Sequence, residues 1–241
     1  MEDKSCPFKI ILGSSSIARR KILAEMGYEF TLMSADIDEK DIRKENPEDL
    51  VMALAEAKAD SILSKLQTID NQEKDEIPTI LIAADTAEAI LHRGPVGDYI
   101  KEADPTLLIT SDQVVIYEGV VREKPANEKE AREFIQGYSG GHAATVGSVL
   151  VTNLKTGFRK GAWDRVEIYF HEIPDEIIEK LIEEGTVLHV AGGLIIEHPL
   201  IKPYVKQVVS LIISVNHMVG TTDSVMGLPK ALTQKLIKEA L

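Results

Sequence analysis

The chain has 241 residues, 44% of them hydrophobic and 27% charged, enough to bury a core in a domain of ordinary size. A formal net charge of -12 opposes general binding along a nucleic-acid backbone, so a phosphate-bearing partner is expected only in a pocket. The single cysteine, Cys6, excludes an internal disulfide framework and a multi-cysteine zinc site; with no bilayer-length apolar run and no targeting pattern in "MEDKSCPF", a cytoplasmic protein with no membrane partner is expected.

The first element is the short apolar run 10–12, a buried strand ended by Gly13. Ile17, Ile22, Leu23 and Met26 then recur at helical spacing up to Gly27, which reads as the stop. Ser14, Ser15 and Ser16 fall at the turn between strand and helix. A helix start offers unpaired N–H groups and partial positive charge, and Arg19 one turn further in could add a bidentate guanidinium, so the junction suits a phosphate. An ordinary serine cap with two solvated arginines reads the same residues.

Residues 29–34 predict a second strand leading into an acidic loop with Asp36, Asp38 and Glu39. "NPEDLVMALAEAKADSILSKL" predicts a helix with Asn46 as cap, Pro47 at its first position and Leu50, Leu54, Ala57 and Ile62 facing inward. The polar run "QTIDNQEKDE" predicts a surface connection, and "TILIAADTAEAILHRGPVGDYIKEADP" begins like a strand and turns helical before Gly94, Pro95 and Gly97 break it. Strand character returns in "TLLITSDQVVIYEGVVREKP", with a hairpin turn at Glu118–Gly119 between 114–117 and 120–122.

A helix over 127–138 follows, capped by Asn127 with Glu130 completing a capping box. Residues 142–173 predict a long antiparallel hairpin turning near 155–157. "PDEIIEKLIEEG" predicts a short helix ended by Gly185, the segments 187–190, 194–196 and 205–215 are strand candidates, and "LPKALTQKLIKEAL" predicts a terminal helix. Parallel β-α units joined to an antiparallel hairpin define an α/β protein with a mixed sheet in two lobes with flanking helices, expected as one domain over 1–241.

Asp112 places a carboxylate inside apolar strand sequence, where it must be paired, hold a metal or line a pocket. Lys124, held before Pro125, could reach the same region, and a simple Asp–Lys ion pair is the plain alternative. With Glu39, Lys58 and Arg19 these residues amount to a phosphate- and cation-binding set, whose hard oxygen donors Asp112 and Glu39 suit Mg²⁺ or Mn²⁺ better than zinc. The six histidines show no paired ligand spacing, and neither a nucleophile elbow nor a Walker pattern occurs.

The ordered motifs "SSSIARRKIL", "DIDE", "LAEAKA", "SDQVVIYEGVVREKP", "YSGGHAATVGSVLV", "VAGGLIIEH" and "GTTDSVMGLPKAL" resemble those of the Maf family, nucleoside triphosphate pyrophosphatases of the inosine-triphosphatase-like fold. The resemblance implies that Ser14, Ser16 and Arg19 bind the triphosphate and that Lys58 and Lys124 neutralise its charge. It makes Asp112 the general base or metal ligand and gives Glu39 a share in holding the cation. Water would attack the α-phosphorus to release a monophosphate and pyrophosphate, and a homodimer is implied. "SDQ", which includes Gln113, together with Glu197 resembles the group acting on 7-methyl-GTP, with UTP, dTTP or CTP as the other substrates.

The chain departs from the pattern at Ala18, where relatives carry an arginine or a bulky residue, and in extra segments near 82–104 and 210–219. "ADT" at Asp85 imitates the catalytic motif, but only Asp112 is followed by a strand-turn-strand ending in Lys-Pro. A nucleotide-binding regulator of cell division that does not hydrolyse, or a phosphatase of small phosphate esters, are the alternative functions.

Overall fold

Apolar strand segments build a single seven-stranded sheet in the computed structural model, which describes residues 8–72, 105–210 and 222–241. The strands are β1 (Lys9–Gly13), β2 (Thr31–Leu32), β3 (Thr106–Tyr117), β4 (Val120–Arg122), β5 (His142–Asn153), β6 (Arg159–Phe170) and β7 (Val205–Ser210). Their order is β2-β1-β3-β5-β6-β7, with β4 paired to β3 outside this path. The β2-β1-β3 part is parallel and the remainder antiparallel, as the sequence predicts for a mixed sheet.

The helices are α1 (Ile17–Glu25), α2 (Pro47–Gln72), α3 (Glu128–Tyr138), α4 (Asp175–Glu183), the single turn α5 (Thr222–Val225) and α6 (Lys230–Ala240). Side-chain alternation along β3 sorts them onto two faces. Leu108 packs with Ala55, Ala59, Ile62 and Leu66 of α2, whereas Leu107 and Ile109 pack with Ile22 and Leu23 of α1 and Leu236 and Ile237 of α6. A third cluster joins β3, β5 and β6 to α3 and α4 through Val115, Ile135, Val166 and Leu181.

One break in the pairing organises everything that follows. β1 pairs with β3 only from Thr106 to Thr110, and β4 takes the same side of β3 only from Val115 to Tyr117. Residues 111–114 therefore lie between the two partners, at the place where parallel pairing gives way to antiparallel. Open α/β sheets bind ligands at such switch points.

Several sequence expectations need correction. The second strand is only Thr31–Leu32, and α2 runs on through Gln72 into the polar run read as a connection, because an exposed helix surface accepts polar residues. Ile17, expected on the apolar face, is the first residue of α1 and 79% exposed. On α2, Ala57 is half-buried, and Ala55 and Ala59 take the inward positions beside Leu54 and Ile62. Asn127 Oδ1 accepts the Glu130 N–H at 3.0 Å as predicted, but Glu130 Oε2 accepts the N–H of Ala126 at 2.6 Å, one residue before the box position.

Segments 187–190 and 194–196 are not strands: the chain forms the 3₁₀ turns Thr186–His189 and Ala191–Gly193, and 194–196 continues without regular structure into a turn. The cause is Gly192, whose φ of 61° is incompatible with extended pairing and whose N–H donates to Glu123 O at 2.8 Å. β7 ends at Ser210, so 211–215 of the predicted strand and 211–219 of the extra segment lie outside the described residues, as do the extra segment 82–104 and Asp85.

Gly192 also permits a close approach, since a Cβ would stand 2.7 Å from Val115 Cβ and 2.8 Å from the Tyr138 hydroxyl, which donates to Gly192 O at 2.8 Å. Gly192→Ala is expected to destabilise by about 3 kcal/mol, backbone strain plus overpacking. Gly157→Ala, with φ of 73° and nothing within 4 Å of the added carbon, should cost only about 1 kcal/mol. Urea unfolding of both variants checks the difference; equal losses would contradict it.

Candidate active site

The strand-to-helix junction is tied inward by Arg19. Ser16 caps α1 by accepting the Arg19 N–H at 3.4 Å, and Ser14 Oγ accepts the Ser16 N–H at 3.1 Å and Arg19 Nη1 at 3.3 Å. The guanidinium continues to the break in the sheet, where Nη1 donates to Ser111 O and Nε to Gly227 O, each at 3.0 Å. Ser111 Oγ also donates to Gly227 O, at 2.9 Å, and Gln113 Nε2 donates to Val225 O at 2.6 Å. Ser111 and Gln113, two apart on β3 and so on one face, both dock the turn after α5.

On the opposite face Asp112 points towards α2. Its carboxylate, in a residue only 7% exposed, accepts from Lys58 Nζ, and the same ammonium donates to Glu39 Oε1 at 2.8 Å. Two buried hydroxyls hold α2 in the position that makes this possible. Thr110 Oγ1 donates to Ala55 O at 2.8 Å and Ser148 Oγ to Val51 O at 2.7 Å, carbonyls one helical turn apart, while Ser148 Oγ accepts the Asp112 N–H at 3.3 Å.

The charges respond to this environment. Burial raises the Asp112 pKa above the usual aspartate value, against the pull of Lys58 and Arg19. Burial acts in the same sense on Glu39, but the Lys58 hydrogen bond and the charges of Lys58, Lys124 and Arg19 outweigh it and leave Glu39 below the usual range. Desolvation lowers Arg19, opposed by Asp112 and Glu39. Asp112 thus feels the charges of Lys58 and Arg19, and Glu39 those of Lys58, Lys124 and Arg19.

The structure brings Ser14, Arg19, Glu39, Lys58 and Asp112 around the break in β3. It corrects other expectations. Asp112 pairs with Lys58 rather than Lys124, which is exposed and acts on Glu39 through its charge. The Ser16 hydroxyl is engaged as the helix cap, and the Gln113 amide donates to a backbone carbonyl. Arg20 is half-buried, its Nη2 donating to Ser15 O at 3.0 Å.

Glu197 is exposed, and no contact among the described residues carries it into the Asp112 cluster; neighbouring His198 pairs instead with Glu184 at 2.9 Å. Sequence reasoning missed Ser148 and Thr110, whose only signal was a hydroxyl inside an apolar strand.

Asp112 and Glu39 supply hard oxygen donors to one point. Among the described residues no group of three or more His, Cys, Asp or Glu side chains gathers, and carboxylate oxygens are the donor type that Mg²⁺ takes.

Fold and site together define an α/β protein with an acid–lysine–acid cluster at the switch from parallel to antiparallel pairing. A family model described as Maf-like protein matches residues 9–240, and the chain belongs to the Maf family. Its relatives include a 7-methyl-GTP pyrophosphatase of Dictyostelium discoideum, 35% identical over 95% of this chain and 96% of that protein. A dTTP/UTP pyrophosphatase of Agathobacter rectalis is 27% identical over 95% and 97% of the two chains, and a nucleoside triphosphate pyrophosphatase of Salinispora tropica 23% identical over 98% and 85%. Among the described residues no helix is long and apolar enough to cross a membrane.

Arg19 joins α1, β3 and the turn at Gly227, so it is part of the framework as well as of the site. Arg19→Ala is expected to lower stability by about 2 kcal/mol, since bonds from a charged donor to part-buried carbonyls are lost. Arg19→Lys should restore little of it, because an ammonium cannot reproduce the fork. Thermal unfolding of both variants is the check, and an unchanged melting temperature in Arg19→Ala would show a purely ligand-directed side chain.

Proposed function

We propose that the protein is a nucleoside triphosphate pyrophosphatase that hydrolyses modified or non-standard nucleotides to a nucleoside monophosphate and pyrophosphate. The observation that carries the reading is the Asp112–Lys58–Glu39 cluster, facing Arg19 across the break in the sheet. The activities in the relatives' names agree with it.

In this reading the chain does little covalent chemistry. Ser14 and Arg19 hold the triphosphate at the start of α1, where helix N–H groups also face it. Lys58, Arg19 and Lys124 offset charge that grows on the leaving pyrophosphate, and Asp112 accepts the proton of the attacking water. Asp112 and Glu39 would hold Mg²⁺ or Mn²⁺, which when bound supplies Lewis-acid stabilisation of phosphate oxygens. A homodimer and a cytoplasmic location belong to the same reading.

Among substrates, 7-methyl-GTP is favoured over UTP, dTTP and CTP. The 35% identical relative carries that activity in its name, and Glu197, without an ion pair among the described residues, is a carboxylate open to a cationic base. Methylation at N7 leaves a delocalised positive charge on guanine, and a carboxylate can accept from its N–H groups in a charge-assisted pairing.

Product analysis with a nucleotide panel and Mg²⁺ should find pyrophosphate; orthophosphate as the first product would instead support a phosphatase. Asp112→Asn, with its fold verified by circular dichroism, should lose at least ~100-fold in rate, the usual worth of a positioned proton acceptor. Comparison of kcat/KM for 7-methyl-GTP, GTP, UTP and dTTP should place 7-methyl-GTP first, and Glu197→Gln should narrow its lead. A preference for UTP or dTTP, or an unchanged ratio in the variant, would overturn the base assignment.

A further inference from the structure

We propose that Lys58 is an exchangeable counter-ion: its ammonium holds the Asp112 and Glu39 carboxylates together in the free protein and leaves them when a divalent cation binds. The proposal rests on the reading above for the identity of the incoming ligands and goes beyond it in assigning Lys58 two successive partners.

The geometry sets up a competition. One ammonium donates to both carboxylates, and these are the two acidic groups that would hold the cation. Buried charges must be paired, and Asp112 and Lys58 are 7% and 9% exposed, so in the free protein each needs the other. A divalent ion meets the charge of two carboxylates fully, where one ammonium meets half of it. Cation and Lys58 therefore compete for the same two carboxylates.

The parts differ in how firmly they are held. Asp112 is fixed through its backbone by strand pairing and by Ser148 Oγ, and α2 is fixed by the Thr110 and Ser148 hydroxyls. Arg19 is locked by its bonds to Ser14, Ser111 and Gly227. Lys58 reaches the carboxylates through four methylenes, and those carboxylates come from two other elements, β3 and the 3₁₀ turn Glu39–Asp41. Its ammonium is held by these two side chains, and once released it needs a new anion, which a triphosphate supplies. Divalent cation and triphosphate consequently strengthen each other's binding, a coupling that is reciprocal by thermodynamic necessity.

The test uses Mn²⁺ alone, without nucleotide, with binding read from loss of the free-ion electron paramagnetic resonance signal. Lys58→Met should bind Mn²⁺ at least about tenfold more tightly than the unaltered protein, in keeping with couplings between close charge pairs. Adding Asp112→Asn to that variant should remove the gain. Unchanged or weaker Mn²⁺ binding by Lys58→Met, with its fold verified by circular dichroism, would overturn the proposal.

A second measurement needs no variant. Reductive methylation of Lys58 in the unaltered protein, followed by peptide mass spectrometry, should accelerate in millimolar Mg²⁺ relative to exposed Lys129; an unchanged ratio would also overturn it. Neither experiment involves hydrolysis, so failure of the pyrophosphatase reading shows in the product analysis and failure of the exchange shows here.

Discussion

Asp112 puts a charge into the middle of an otherwise uncharged strand, and that burial is tolerable only because Lys58 reaches it from α2. Much of the remaining architecture serves this contact. The helix must present one side chain to one point on β3, and two hydroxyls, from Thr110 and from Ser148 on the neighbouring strand, dock on α2 carbonyls a turn apart to hold it there. The apolar stripe of α2 against Leu108 and Leu150 supplies the adhesion, and the hydroxyls supply the register.

The second element is the unpartnered stretch of β3. Because β1 ends at Gly13, opposite Thr110, and β4 ends at Arg122, opposite Val115, residues 111–114 keep one side open for ligands. Arg19 fills part of that opening by taking the Ser111 carbonyl, and through Gly227 it anchors the turn that also receives Ser111 and Gln113. The two faces of the strand therefore have separate duties: Asp112 faces the acid–lysine–acid cluster, while its neighbours hold the C-terminal turn in place.

Local chemistry made much of this legible in the sequence. The hairpin at Glu118–Gly119, with φ of 49° and 79°, the Asn127 cap and the stop at Gly185 were readable because each depends on residues within one turn of chain. The alternation of β3 and the lone carboxylate at Asp112 likewise pointed to a site. What escaped were facts of tertiary geometry. Lys58 and Asp112 are 54 residues apart, and nothing in either neighbourhood chooses Lys58 over Lys124 as partner. The apolar segments 187–190 and 194–196 looked like strands, yet Gly192 between them, with its positive φ, decides the backbone. Glu197 was singled out by motif likeness, and its exposed position leaves its role to the base itself.

The central claim is that this framework directs water to the α-phosphorus of a nucleoside triphosphate. Hydrolysis in ¹⁸O-enriched water, with both products analysed by mass spectrometry, tests it most directly. The heavy oxygen should appear in the nucleoside monophosphate, with the pyrophosphate unlabelled. Label in the pyrophosphate, from attack at the β-phosphorus, or in orthophosphate, from attack at the γ-phosphorus, would contradict it.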